Sequence, residues 1–164
     1  MADASFDVVS KVEKQEVDNA LNQAAKEVAQ RYDFKGTGAS IEWSGEAVLI
    51  KANANDRVMA VLDIFKEKLV KRQVSLKSLE HDEKPSAAGG DTARLEVKLV
   101  AGITDEKAKK IVALIKEKGP KGVHAQRQDD QVRVSSKKKD DLQATMTLLK
   151  GEDFGIPLQF TNYR

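Results

Sequence analysis

The chain has 164 residues, a formal charge of +2, 33% charged residues and no cysteine. So balanced a charge does not by itself declare a polyanion partner, and the missing thiols remove disulfides, thiolate nucleophiles and most zinc sites. No apolar run approaches membrane-spanning length, and the opening MADASFDVVS lacks the basic and apolar segments of a signal peptide, so a soluble cytoplasmic protein with no membrane partner is expected.

Residues 5–12, SFDVVSKV, alternate apolar and polar side chains, which predicts a strand with Phe6 and Val8 inward. Val17, Leu21, Ala24, Val28 and Tyr32 then recur at helical spacing over residues 13–32, and Gly36 and Gly38 follow as candidate helix terminators. Residues 39–43 and 46–51 read as a hairpin around Ser44 and Gly45. Pairing outward from that turn puts Ala39, Ile41, Trp43, Val48 and Ile50 on one face, and Ser40, Glu42, Leu49 and Lys51 on the other. Asn55 or Asp56 is expected to cap the next helix, whose core stripe is Val58, Val61, Leu62, Phe65 and Leu69. Residues 74–79 are expected to form a short closing strand.

Residues 81–91, HDEKPSAAGGD, carry Pro, Ser and paired Gly without periodicity and read as a linker. The same order of elements then returns. A strand is expected at 94–100, and a helix capped by Thr104 and stopped at Gly119 and Pro120. A hairpin follows around Asp129 and Asp130, then a helix at 137–150 and a strand at 158–163. Residues 39–66 align with 123–150 without a gap, placing Val48 on Val132, Ile50 on Val134, Asp56 on Asp140 and Lys66 on Lys150. The expected fold is α+β: two tandem ferredoxin-like β-α-β-β-α-β units, residues 1–80 and 92–164, each an antiparallel sheet with its helices on one face.

The strings EVDNALNQA and RYDFKG, with KKKDDLQATMTLLK and the terminal IPLQFTNYR, resemble the YajQ family of bacterial nucleotide-binding proteins over nearly the whole chain. The resemblance implies that the first strands are exchanged, so that residues 5–12 pair in the second sheet and 94–100 in the first. It also implies a purine nucleotide or cyclic di-GMP as ligand, tRNA or other RNA as a further partner, and a sensor role acting through a transcription regulator. It supplies no catalytic motif to map. The chain departs from the pattern in its extended linker, KPSAAGGD.

Arg31, Tyr32, Phe34 and Lys35 form the densest mix of cation and aromatic in a chain poor in aromatics. They suit a purine stacked on a ring with a cation on phosphate; they equally suit a helix C-terminus with Gly36 as its cap. Lys98, His124, Gln126, Gln131, Arg133 and Ser135 are expected to share the open sheet face of the second unit. There Arg133 and Lys98 would hold phosphates while Gln126 reads a base edge, or the face is simply solvated. The third strands, AVLIKA and QVRVSS, lack the aromatics on which RNA-recognition sheets stack bases. Any RNA binding would therefore rest on backbone charge. Lys137, Lys138 and Lys139 open a helix, where cations oppose the dipole, which suggests either a phosphate contact or a solvated basic turn. No nucleophile stands beside a base, and two separated histidines make no metal site, so no catalytic residue, metal or cofactor is expected.

Overall fold

The computed structural model describes residues 3–164. The chain divides into two compact units, one built from the segment through Lys11 together with Ala101–Arg164, the other from Val12–Val100. In chain order the first half gives β1 (Ala4–Val9), α1 (Lys14–Gln30), β2 (Ser40–Ser44), β3 (Ala47–Ala52), α2 (Asn55–Lys71), β4 (Leu79–Glu80) and β5 (Ser86–Ala87). The second gives β6 (Ala93–Leu99), α3 (Asp105–Lys118), β7 (His124–Gln128), β8 (Gln131–Ser136), α4 (Lys139–Lys150) and β9 (Gln159–Thr161).

In the Val12–Val100 unit the strands lie in the order β2-β3-β6-β4, all neighbours antiparallel. Gly45 turns the β2–β3 hairpin with φ 65°, a conformation that a side chain would strain. The register sets Ile41 opposite Ile50 and Trp43 opposite Val48, and β6 continues the face with Leu95 and Val97. Because side chains alternate along a strand, these residues all point one way. Val17, Leu21, Ala24 and Val28 of α1, with Val58, Val61, Leu62, Phe65 and Leu69 of α2, close over them in one core. The helical and strand periods of the sequence therefore meet on a single face.

The other unit repeats the plan with the order β7-β8-β1-β9. Phe6 and Val8 of β1 face Val134 and Val132 of β8, and α3 and α4 cover them with Ala108, Ile111, Ile115, Leu142, Met146 and Leu149. Numbered within its own repeat, each sheet is ordered 2-3-1-4, the ferredoxin-like arrangement. The central strand is the exchanged one in both: β1 stands in the sheet of the later residues, and β6 in that of the earlier ones. Residues 81–91 belong to the Val12–Val100 unit, where Ser86 and Ala87 pair with Arg94 and Ala93.

Several local expectations are corrected. The first helix ends at Gln30 and leaves through an extended Arg31, φ −78° and ψ 130°, so Gly36 is not its cap. The cap position of α2 is Ala54, which offers no side-chain acceptor; Asn55 and Asp56 lie inside the first turn, where the Asp56 carboxylate accepts from the Arg57 amide at 3.0 Å. Half of the strand expected at 74–79 is a tight turn at Leu76–Ser78. Ser75 and Ser78 fix that turn by their own side-chain hydrogen bonds, leaving only Leu79 and Glu80 to pair.

Candidate functional site

After α1 the chain makes one 3₁₀ turn at Tyr32–Phe34 and passes through Gly36 and Gly38, both at positive φ. The loop is fixed from within. The Thr37 hydroxyl donates to the Phe34 carbonyl at 2.6 Å and accepts from the Ala39 amide at 3.2 Å. The Thr37 carbonyl also takes the Asn53 amide at 2.9 Å. Phe34 is thereby sunk into the core, whereas Tyr32 stands 87% exposed. A large ring held in water on a braced loop gains nothing from folding, which sets it apart from the other aromatics of the unit.

Around that ring the charges are partly neutralised. The Arg31 guanidinium donates to both carboxylate oxygens of Asp33, at 3.0 and 2.8 Å, and to Glu27 at 3.4 Å, while lying over the Phe34 ring. The Arg31 hydrogen bonds hold the Asp33 carboxyl below the usual range, and Lys68, 2.8 Å from Glu27, does the same there. Arg57 donates to the Asp33 carbonyl at 2.9 Å from the first turn of α2. A groove of about 400 Å³ runs between Tyr32, Phe34, Lys35 and Gly38, with Val28 and Ala29 on its apolar wall. Lys35, exposed at its edge, is the cation left for a ligand, because Arg31 is committed to two carboxylates.

The other expected site residues do not converge. Lys98 lies on β6 in the other sheet, beside Glu80, Glu96 and Arg94, and not with Gln126 and Arg133. Its expected place is taken by Asp7, which reverses the charge at the centre of that face. Asp7 is 1% exposed and accepts from Arg133 at 2.9 Å, Asn162 at 2.8 Å and Gln131 at 3.3 Å. The Arg133 hydrogen bond holds its carboxyl below the ordinary range despite burial. Arg133 is therefore engaged by protein, and Gln126, its cross-strand neighbour on β7, stays exposed. Lys137 and Lys138 are exposed before α4, where the Lys138 amide bonds the Ser136 hydroxyl at 3.2 Å.

Sequence reasoning missed Asp7 and Arg57. Asp7 carried the signal of a charge inside an alternating strand, though nothing in the pattern named its partners. Arg57 carried none, since its contact crosses 24 residues. Among the described residues no group of three or more His, Asp or Glu side chains is placed to hold a metal ion, and no helix is long and apolar enough to cross a membrane.

Fold and site together define a tandem ferredoxin-like protein with exchanged central strands and an exposed aromatic corner. The model of the YajQ-like nucleotide-binding protein family matches residues 4–164. Relatives named nucleotide-binding protein come from Streptomyces griseus, 61% identical over the full length of both chains, and from Rhodococcus opacus and Acidothermus cellulolyticus, each also 61% identical over full length. The chain belongs to the YajQ-like family.

Proposed function

We propose that the protein binds a purine nucleotide or cyclic di-GMP in the cytoplasm without turning it over, and that occupancy is relayed to a macromolecular partner such as a transcription regulator. The relatives' names support the ligand class. The observation that carries the reading is Tyr32: an 87% exposed ring on a braced loop, with Lys35 and a groove of about 400 Å³ beside it. The base stacks on the ring, a contact of about 1–3 kcal/mol, and Lys35 meets phosphate. Arg31, tied to Asp33 and Glu27, shapes the loop. Binding without turnover fits a corner whose nearest acids, Asp33 and Glu27, are paired with Arg31 and Lys68.

A second reading, an RNA or tRNA module gripping the phosphate backbone, is favoured by the three consecutive exposed lysines, Lys137, Lys138 and Lys139. Titration calorimetry with GTP, ATP, cyclic di-GMP and a short RNA, at low and moderate salt, separates the two. A pocketed nucleotide keeps its affinity as salt rises and loses it in Tyr32→Ala. Binding confined to RNA at low salt would overturn the first reading in favour of the second.

A further inference from the structure

The internal repeat leaves a groove open at a place that its counterpart fills. Trp43 on β2 faces Val48 across its hairpin, and Arg127 on β7 faces Val132 across its own, so the two residues hold the same register position on the helix side of an edge strand. In the Val12–Val100 unit that position is occupied: the indole packs on the core, and its Nε1 donates to the Asp18 carboxylate of α1 at 2.8 Å. In the other unit the position carries Arg127 in place of an aromatic. Its guanidinium pairs with Asp105 at the start of α3, and its Nε donates to the Asp129 carbonyl at 2.9 Å. A groove of about 500 Å³ runs along α3, with Ala108, Val112 and Ala113 in its wall and Lys109, Lys116 and the Asp105–Arg127 pair also lining it. Asp105 pairs with Arg127, and Glu106 with Lys110 at 3.5 Å. Lys109 and Lys116 themselves form no ion pair among the described residues, and with Arg127 they outnumber Asp105 in the lining.

We propose that this groove is a second nucleotide site, in which a purine base lies on Ala108, Val112 and Ala113 where the repeat elsewhere holds its own indole, and Lys109 and Lys116 receive the phosphates. The inference rests on the nucleotide-binding reading above and adds a site in a different unit. A purine is a flat bicycle of indole size, so the neighbouring repeat supplies the template for its shape. The two lysines are seven residues apart on one helix, roughly 10 Å along its axis, a span that a base and its phosphate chain cover together. Their positive charge selects an anionic ligand and the apolar wall selects a flat ring; a nucleotide supplies both in one small molecule.

The test is titration of the full-length protein with GTP, and separately with cyclic di-GMP, followed by amide chemical shifts. Saturable shifts at Lys109, Val112, Ala113 and Lys116 are expected. Arg127→Trp, which restores the indole of the other unit, and Ala113→Glu, which puts a repelling charge in the wall, should each weaken that phase about tenfold or more, the scale of one lost charged contact. Tyr32→Ala should leave it intact. Shifts confined to residues 28–39 would overturn this site and leave the Tyr32 reading standing. Shifts at α3 alone would support this site and remove that one. No saturable shift with either ligand would remove both, as would an unchanged α3 phase in both groove variants for this site alone.

Discussion

Asp7 and Arg133 stand 126 residues apart in the chain and 2.9 Å apart in the sheet of β1 and β8. With Gln131 and Asn162 they form a satisfied polar cluster on a carboxylate that is 1% exposed. Removing one partner strands a buried charge. Arg133→Ala is therefore expected to lower the urea midpoint, and adding Asp7→Ala to recover part of that loss. Urea midpoints of the two single variants and the double variant measure the coupling; strictly additive losses would show that the pair is incidental.

The same pair sets a pH dependence. Asp7, Glu27 and Asp33 have folded pKa values below their unfolded ones, through Arg133, Lys68 and Arg31 respectively. The unfolded chain binds protons first as pH falls, so the stabilisation present above about pH 4 is lost through and below that range. The stability gap between the native protein and Arg133→Ala should accordingly narrow from pH 7 to pH 3. A gap of equal size at both pH values would contradict it.

Tyr32 and Phe34 are two residues apart and should behave oppositely. Tyr32→Ala removes a ring that is 87% exposed and should change stability by less than about 0.5 kcal/mol while weakening nucleotide binding. Phe34→Ala empties a core position that is 4% exposed and should cost about 3–4 kcal/mol. Thermal melts and nucleotide titration on both variants read the contrast directly.

Fragments test the division of the chain. A piece spanning Val12–Val100 contains the whole β2-β3-β6-β4 sheet with α1 and α2 over it, and should fold alone with dispersed amide resonances. A piece ending at residue 91 loses β6, the strand between β3 and β4, and should be unfolded or aggregated. Equal dispersion from the two pieces would show that the central strand is dispensable.

Much of this was legible in the sequence, because hydrophobic phase is local. Alternation alone places Ile41, Trp43, Val48 and Ile50 on one face. A turn at Ser44 and Gly45 would set Trp43 opposite Glu46, whereas the turn falls at Gly45 and Glu46 and sets it opposite Val48. Phase says which face a strand buries and nothing about which sheet it joins. Lys98 was accordingly grouped with Arg133 by pattern, whereas the exchange seats Asp7 there and Lys98 elsewhere; only family resemblance anticipated it. At the candidate corner the pattern singled out Arg31, Tyr32, Phe34 and Lys35 together but not the pairing of Arg31. Its charge is cancelled by Asp33 two residues on and Glu27 four residues back, neighbours visible in the sequence whose side-chain geometry was not.

The exchanged strands also order events on the ribosome. β1 is synthesised before α1, yet its partner Arg133 follows Asp7 by 126 residues, a wait of roughly 6–25 s at about 5–20 residues per second. The Val12–Val100 sheet can close during that interval, since β6 emerges well ahead of β8. Residues 4–9 meanwhile remain an unpaired strand carrying Phe6, Val8 and Val9, all buried in the finished protein. Asp7 in the middle of that strand gives the waiting segment a solvated charge against edge-to-edge association, and the same carboxylate later receives Arg133 when the sheet is completed.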